Sequence, residues 1–294
     1  MESSDYRSWP DEHLRPSVAA RYDEAVSDRY TTEAIFPAVD VLAGLASGGA
    51  AVEFAVGTGR LALPLAASGT AVFGIDFSEA MLSELQKKDG AERIRITVGD
   101  MTKTQVCHDA ALVYLVFNTI GNLRTQQQQV ACFRNAAAHL KPGGCFLIEN
   151  NVPNLDGLCV GETIRLYDVS PHHLGFDEFA DRVNQILISH HYFIDGDRVR
   201  MLSGAFRYVW PSELDLMAQL AGLTMESRWA DWQRSPFTEA RNLTSRCGAS
   251  HETAPGSEAS TSPIAKRLHP VHSRRRVRDS RRRSGVGRWS PGCV

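Results

Sequence analysis

The sequence of 294 residues lacks an apolar run long enough to cross a membrane. A membrane-spanning helix needs about 18 to 20 consecutive apolar residues, and no segment approaches that length. Residues 1–7 are polar, so the chain also lacks the apolar core of a secretory signal at this end. We therefore predict a cytoplasmic protein with no membrane partner.

Cysteine is scarce, and its spacing excludes the common metal frameworks. None of the six cysteines lies in the paired arrangement that a structural zinc site requires. Cys132 and Cys145 fall in a predicted helix and a predicted strand, where cysteine usually acts as a small buried apolar residue in a reducing compartment. The four histidines His172, His173, His190 and His191 have no matching carboxylate or cysteine spacing either. We predict no metal site.

Net charge is nearly absent overall, but it is unevenly distributed. Residues 1–245 carry 21 Lys and Arg against 31 Asp and Glu, whereas residues 246–294 carry 11 against 3. The last segment is rich in Arg, Ser, Pro and Gly and has almost no apolar periodicity. Such a composition cannot bury enough surface to offset chain entropy, so we expect residues 246–294 to form a disordered tail.

The most informative segment is residues 51–60, where a short apolar run leads into two glycines. Glu53 ends the predicted strand, and Gly57 and Gly59 form the turn before a predicted helix. Glycine lets the backbone approach a ligand closely, and the amides at a helix start favour an anionic group. The spacing also satisfies the loose dinucleotide fingerprint, so the turn indicates a nucleotide-like ligand.

Acidic residues follow the next two predicted strands as well. Asp76 ends residues 70–75 and lies 17 residues after Gly59, near the offset expected for an acid that binds ribose hydroxyls. Asp100 follows residues 94–98 and could accept from an adenine amino group, with Met101 against the ring. Because ligands bind at the carboxyl ends of parallel strands, these acids predict one nucleotide site.

These motifs resemble the class I S-adenosylmethionine-dependent methyltransferases. Residues 53–59 match the acidic-glycine motif of that family, 74–78 its ribose motif, 99–101 its adenine motif and 140–144 the turn before its fifth strand. Residues 113–120, 132–137 and 206–210 extend the similarity to actinobacterial small-molecule methyltransferases. The resemblance covers about residues 17–238 and implies S-adenosylmethionine as the cofactor. Ala55 stands where the family often has glycine, and we expect tighter packing there rather than lost binding.

The motifs and the segments beside them give a predicted cofactor site. Tyr22, in a helix predicted over about residues 18–27, could close over the methionine portion. The full set of predicted cofactor-binding residues is Tyr22, Glu53, Ala55, Gly57, Thr58, Gly59, Arg60, Asp76, Phe77, Met81, Asp100, Met101, Phe117 and Asn118.

The predicted fold is α/β, with a Rossmann-like, mostly parallel seven-stranded sheet. Strands and helices alternate over residues 51–149, which indicates a parallel sheet with right-handed crossovers. We expect residues 1–16 to form a lead-in and residues 17–245 the methyltransferase domain, ending in an antiparallel strand. Residues 150–204 break the alternation and predict an antiparallel β insertion over the active site, with a hairpin turn at Asp195-Gly196. We expect residues 206–210 and 223–232 to be the final strands and to run antiparallel to the rest.

The predicted methyl acceptor is a small molecule. The sequence does not identify the residues that catalyse the transfer. The methyl of a sulfonium is already activated, so alignment supplies most of the rate, and a base is needed only for an acceptor that is protonated. Asn118 follows the fourth strand, where acceptor and methyl should meet. His190 and His191 are weak candidates for a base, and at most one of them faces the pocket because adjacent strand residues point to opposite faces.

Other functions remain compatible with parts of the sequence. The glycine spacing also fits a nicotinamide-dependent oxidoreductase, and a damaged C-terminus would fit an inactive or regulatory cofactor-binding protein. No proline pair follows Phe117-Asn118, which disfavours transfer to the amino groups of bases, and the charge of residues 1–245 disfavours a phosphate-rich substrate.

Three hypotheses account for the basic tail. It could be a nucleic-acid arm, an inert extension or a frameshifted reading frame. We favour the frameshift, because the resembling family ends soon after a segment like Ser235-Pro236-Phe237-Thr238, whereas here an Arg, Ser, Pro and Gly mixture follows. GC-rich DNA read out of frame gives such a mixture. Nucleic acid is a predicted partner only if the tail is genuine, and an in-frame genomic sequence with similar arms in related chains would refute the frameshift.

Overall fold

The computed structural model describes residues 16–153, 155, 158–238 and 242–249 of the chain. Residues 1–15 of the expected lead-in and residues 250–294 of the expected tail lie outside these described residues. Within the described part, no helix is both long and apolar enough to span a lipid bilayer.

A seven-stranded sheet forms the centre of the domain, as the sequence predicted. Its strands are β1 (Ala51–Phe54), β2 (Val72–Asp76), β3 (Ile94–Val98), β4 (Ala110–Leu115), β5 (Leu140–Asn151), β10 (Leu223–Trp229) and β11 (Asn242–Ala249), in the spatial order β10-β11-β5-β4-β1-β2-β3. The first five strands pair in parallel. β11 is antiparallel to both β5 and β10, so β10 runs parallel to β5. The expectation that residues 223–232 would run antiparallel to the rest is therefore wrong for β10, whereas the predicted antiparallel strand at the C-terminal end of the sheet is present as β11.

Seven helices are present in the described chain: α1 (Pro16–Ala19), α2 (Tyr22–Ala25), α3 (Thr32–Ala46), α4 (Ala62–Ala67), α5 (Glu79–Gln86), α6 (Gln126–His139) and α7 (Pro211–Leu220). Ser78 caps α5 by accepting from the amide of Met81, and Thr125 forms a capping box with Gln128 at the start of α6. The single helix predicted over residues 18–27 is instead divided into α1, α2 and a 3₁₀ turn at Ser27–Tyr30.

The core lies on both faces of this sheet, because its central strands are buried on both sides. All six residues of β4 are buried, which explains why that strand reads as a continuous apolar run. Phe54, Phe133 and Phe146 pack on the face covered by α6 and α7. Leu42 of α3 and Leu65 of α4 pack on the opposite face. The two layers hold the strand ends at one common edge.

A second, separate sheet contains the insertion. Its strands are β6 (Ile164–Val169), β7 (His173–Asp181), β8 (Ile186–Asp195) and β9 (Arg198–Arg207), all antiparallel and in sequence order. The predicted turn at Asp195-Gly196 joins β8 to β9, with Gly196 at φ +62°. β7 was not predicted, because register shifts interrupt its apolar alternation. β9 continues to Arg207, so residues 206–207 belong to this insertion sheet. The expectation that residues 206–210 form a strand of the central sheet is therefore wrong.

Arg207 fastens the insertion sheet to the central domain. Its guanidinium is 2% exposed and bonds to Gln129 of α6, to Gln185 and, at 2.8 Å, to Glu213 of α7. Partial burial acts to raise the pKa of Glu213, but the hydrogen bonds from Arg207 and Gln185 hold that pKa below its usual value. A buried arginine with hydrogen bonds to three side chains fixes the position of β9 relative to α6 and α7.

The last strand lies beyond the expected end of the domain. The boundary drawn at residue 245 falls inside β11, which pairs through Gly248 with Cys145 of β5. Cys247 is 1% exposed and belongs to the core. Because β11 is paired on both sides, its backbone bonds hold residues 246–249 in the sheet despite the change in composition. The described sheet therefore keeps its last strand despite the damage to the C-terminus that the sequence had suggested.

Candidate active site

The glycine turn after β1 is fixed by the acid at the end of β2. The two carboxylate oxygens of Asp76 accept from the amides of Gly57 at 2.7 Å and of Ser78 at 2.8 Å. Burial raises the pKa of Asp76, although these amides and that of Phe77 oppose the rise. The structure thus brings Gly57 and Asp76 together, as their sequence positions predicted.

The two glycines of the turn face different surroundings. A Cβ on Gly57 would meet nothing nearer than the Ala55 carbonyl at 4.0 Å, whereas one on Gly59 would lie 2.3 Å from Leu85 of α5. Gly57 therefore leaves open space in front of the turn, and Gly59 permits close packing of two elements. Ala55 has φ +54°, a left-handed conformation that glycine adopts without strain, so the backbone rather than side-chain size makes this position unusual.

A dehydrated acidic group lies behind the turn. Glu53 is 3% exposed and accepts from the hydroxyl of Tyr114 at 2.9 Å. Burial raises the pKa of Glu53 to about 8, against the opposing effects of Tyr114 and the Arg60 guanidinium. Carboxyl groups with raised pKa values cluster at functional sites. The raised pKa values of Glu53 and Asp76 therefore indicate a functional site at the glycine turn, as the motifs do.

The N-terminal segment closes over the turn through Thr58. Asp23 of α2 and Tyr30 bond to each other at 2.6 Å, and both bond to the Thr58 hydroxyl, at 2.6 and 2.7 Å. Lys88 pairs with Asp23 and donates to the Thr58 carbonyl at 2.8 Å. Tyr22 is adjacent to this group; burial raises the pKa of its phenol, with smaller effects from Arg60, Asp23 and Asp76. Its closure over the methionine portion stays a prediction.

Asp100 shapes the loop after β3. One of its oxygens, Oδ1, accepts from both the amide and the hydroxyl of Thr102, at 2.8 and 2.7 Å, while Oδ2 lies 3.6 Å from Lys103. Met101 is partly buried against the core, and its carbonyl accepts from Asn135 of α6. The loop is therefore held from two sides, with Oδ2 of Asp100 free of short hydrogen bonds.

The segment after β4 has an unusual backbone that β5 supports. Phe117 and Asn118 both lie in the left-handed region, at φ +60° and +57°. The amide of Phe117 donates to Glu149 Oε2 at 2.8 Å, and the amide of Asn118 donates to the Glu149 carbonyl at 3.2 Å. Trp232 Nε1 donates to Glu149 Oε1 at 3.0 Å. Two consecutive strained residues that are held in this way are typical of functional loops.

Two arginines connect this segment to the glycine turn. The Arg60 guanidinium lies 5.3 Å from the centre of the Phe117 ring, and that of Arg29 lies 5.8 Å from it. Both distances suit a cation–π interaction. The residues after β1 and those after β4 therefore meet at one edge of the sheet.

Two predicted residues stand apart from the rest. Phe77 is 68% exposed, so its ring projects into solvent beside the end of β2. Met81 is buried in α5, and its amide donates to the Ser78 hydroxyl that caps the helix. Their assignment to the cofactor site stays a prediction.

The two candidate histidines lie on opposite faces of the insertion sheet, as their adjacent positions predicted. His190 bonds to Ser203 at 2.8 Å, with Glu178 at 3.5 Å. His191 bonds to Tyr167 at 3.0 Å and to His173 at 3.1 Å. Burial lowers the pKa of His191, and the neighbouring His173 and His190 lower it further. All these partners belong to the insertion sheet. In the described residues, no group of three or more His, Cys, Asp or Glu side chains could hold a metal ion.

Sequence reasoning missed the residues that hold the site from a distance. Asp23, Tyr30, Lys88, Glu149 and Trp232 match no short motif. Lys88 and Thr58 are 30 positions apart, and Trp232 and Glu149 are 83 apart. No local signal reports such pairs, although the predicted closure by Tyr22 pointed to the right segment.

Comparison with known proteins identifies the family. A family model described as a methyltransferase domain matches residues 51–144. The chain is 25% identical over 238 residues to the cypemycin N-terminal methyltransferase of a Streptomyces species, covering 76% of this chain and 94% of that protein. It is 29% identical to the CcbJ methyltransferase from Streptomyces caelestis, with a TM-score of 0.67 over 83% of this chain and 94% of that one. The chain is a class I S-adenosylmethionine-dependent methyltransferase.

Another solved methyltransferase shares the fold. The chain has a TM-score of 0.57 to S-adenosylmethionine-bound CalS10, an amino pentose methyltransferase from Micromonospora echinaspora, at 20% identity over 77% of this chain and 95% of that one. The methyltransferase described here uses the same cofactor, S-adenosylmethionine. The glycine turn fits this cofactor, because the space in front of Gly57 is open and the Asp76 carboxylate lies beside it.

Proposed function

We propose that this methyltransferase transfers a methyl group to a small-molecule acceptor by in-line displacement, with the cofactor at the carboxyl ends of β1 to β4. One observation carries the proposal: the glycine turn, Asp76, Glu53 and the Phe117 segment meet at a single edge of the sheet. Ligands of open α/β sheets bind at this edge.

The charges of the site suit each part of the cofactor. The Asp76 carboxylate accepts hydrogen bonds from two backbone amides, and its remaining lone pairs can accept from the ribose hydroxyls. Arg60 acts electrostatically on Glu53, so both lie in reach of the same part of the site: the guanidinium would pair with the carboxylate of the methionine portion, and the ammonium of that portion would favour ionisation of Glu53 on binding. Asp100 Oδ2 would accept from the adenine amino group, with Met101 beneath the ring. S-adenosylmethionine supplies the activated methyl when bound.

The acceptor would meet the methyl beside Phe117 and Asn118. Their fixed backbone keeps the acceptor aligned with the methyl and the sulfur, and alignment of this kind supplies most of the rate in such a displacement. The net negative charge of residues 1–245 repels phosphate-rich polymers, which favours a small molecule. Relatives are named for a peptide N-terminus and an amino pentose, so amines are the first acceptors to test.

A protein base is needed only for an acceptor that is protonated at working pH. His190 and His191 remain candidates for that role, and Asn118 for orienting a polar group of the acceptor. The Asn118 side chain already accepts from the amide of Asn151 at 3.1 Å, which leaves its NH₂ group to donate to a ligand.

Calorimetric titration with S-adenosylhomocysteine tests the cofactor site. We expect micromolar binding by the wild type and a loss of about 1–3 kcal/mol, or 5- to 150-fold, in Asp76→Ala. Asp40→Ala on the exposed side of α3 is the control and should bind as the wild type does. Equal binding by Asp76→Ala, in a variant with an unchanged melting curve, would refute the site.

Incubation with radiolabelled S-adenosylmethionine tests the acceptor class. Panels of small amines and small hydroxyl compounds are compared with total RNA and with protein extract. We expect label in the small-molecule fraction. Label confined to RNA or protein would refute the proposal, and cofactor binding without any transfer would favour a regulatory protein instead.

A further inference from the structure

A compact polar cluster joins the N-terminal segment to the cofactor turn. It comprises Asp23, Tyr30, Thr58 and Lys88, which we call the latch. Asp23, Tyr30 and the Thr58 hydroxyl form a closed ring of hydrogen bonds of 2.6 to 2.7 Å. Thr58 is 2% exposed, so this ring is shielded from water at its centre.

Lys88 completes the cluster from the end of α5. It pairs with the second oxygen of Asp23, donates to the Thr58 carbonyl at 2.8 Å, and lies 5.3 Å from the centre of the Tyr30 ring. The hydrogen bonds from Lys88, Thr58 and Tyr30 outweigh partial burial and hold the pKa of Asp23 below its usual value. The carboxylate is therefore charged at neutral pH, and the ion pair is present when the cofactor binds.

The position of the latch connects it to Tyr22. Tyr22 immediately precedes Asp23 and starts the same short helix, α2. A helix of four residues has little stability of its own, so its placement depends on contacts such as these. Because Asp23 bonds to the Thr58 hydroxyl, the start of α2 lies beside the glycine turn, and Tyr22 begins the helix next to the predicted cofactor site.

We propose that Asp23 and Lys88 are positioning residues for the cofactor: they fasten α2 to the glycine turn and thereby hold Tyr22 against bound S-adenosylmethionine. This inference rests on the cofactor site proposed above, and it does not depend on the acceptor. The latch acts on the dissociation of the cofactor, because Tyr22 must move away before the ligand leaves.

Stopped-flow binding of S-adenosylhomocysteine to the full chain tests the latch. We expect Lys88→Met to raise the dissociation rate constant about 5- to 20-fold, in keeping with the loss of a charge-assisted pair. Lys88→Arg should restore most of the wild-type rate, since it keeps the charge. Lys87→Met is the matched control, because Lys87 pairs with Glu84 on the surface and touches neither Asp23 nor Thr58.

A double-mutant cycle with Tyr22→Ala separates positioning from general support of the fold. If Lys88 acts through Tyr22, Lys88→Met should have little further effect in the Tyr22→Ala background. Additive effects, or an unchanged dissociation rate in Lys88→Met, would overturn the latch. Failure of the wild type to bind the ligand would instead overturn the cofactor site on which the latch rests. Melting curves of all variants show whether a change in rate reflects loss of folding.

Discussion

Gly57 and Gly59 have positive φ in the same turn, yet they serve different purposes. The space beside Gly57 is open, so its missing Cβ leaves room for a ligand. Gly59 instead lies against Leu63 and Leu85, so its missing Cβ lets α4 and α5 approach each other. A shared motif therefore combines one position for binding and one position for packing.

Substitution of the two glycines by alanine should separate these effects. We expect Gly59→Ala to lower the free energy of unfolding by about 2–4 kcal/mol, because its methyl would overlap Leu85 in addition to the left-handed strain. Gly57→Ala should cost only about 1–2 kcal/mol, since the strain acts alone. The binding of S-adenosylhomocysteine should fall mainly in Gly57→Ala. Urea unfolding and calorimetry provide the two measurements, and equal losses of stability would contradict the distinction.

Burial of Glu53 makes the stability of the ligand-free chain depend on pH. The folded chain keeps the carboxyl protonated up to about pH 8, whereas the unfolded chain ionises it near its ordinary value of 4.5. Between these values the folded state binds one more proton. The free energy of unfolding therefore falls as pH rises, by at most about 1.4 kcal/mol per pH unit.

Glu53→Gln removes this dependence, because the amide does not titrate. We expect the variant to gain stability relative to the wild type between pH 5 and pH 8, with little relative change outside that range. Urea unfolding at several pH values without ligand measures the difference. Glu33→Gln on the exposed side of α3 should run parallel to the wild type. A constant difference between Glu53→Gln and the wild type across this range would contradict a neutral Glu53.

At the scale of elements, the ends of β4 and β5 and the loop after β10 depend on one another. Glu149 at the end of β5 receives the amide of Phe117 on one oxygen and the indole of Trp232 on the other. Trp232 also packs against the core beneath α3 and α4. The left-handed residues after β4 are therefore stabilised by a loop that lies far along the chain.

Trp232→Phe should loosen the segment after β4 without removing the ring from the core. Loss of one hydrogen bond, worth about 0.5–1.5 kcal/mol, predicts 2- to 10-fold faster exchange of the Phe117 and Asn118 amides. Amides in the middle of α6 should keep their rates. Trp229→Phe is the control, since the Trp229 ring stacks with Arg234 and does not reach Glu149. Hydrogen–deuterium exchange read by peptide mass decides between these outcomes.

The same elements show what the sequence could predict. Strands with a buried apolar run and the acid at residue 76 follow from neighbouring residues, and the structure places them as expected. β7 was missed because shifts of register break its alternation. The latch and Glu149 were missed because their partners come together only through the fold. Local chemistry is readable along the chain, whereas support from distant elements is not.

At the scale of the whole molecule, the described core ends with β11. Cys247 is buried in that core, and β11 lies between β5 and β10, so both neighbours depend on it for pairing. The basic composition of residues 250–294 stands in contrast to the negative charge of the rest. Packing within the described residues therefore predicts that the domain needs β11 but not the segment that follows it.

Two shortened chains test this division. We expect a chain that ends at residue 249 to melt within about 2 °C of the full chain and to bind S-adenosylhomocysteine equally well. A chain that ends at residue 241 should aggregate, because its loss of β11 exposes the edges of β5 and β10. If the basic segment is a genuine nucleic-acid arm, the full chain should bind RNA with an affinity that falls steeply with salt, and the chain ending at residue 249 should not. Salt-independent RNA binding by both chains would remove the arm hypothesis, because it would show that the positive charge of residues 250–294 has no part in the interaction.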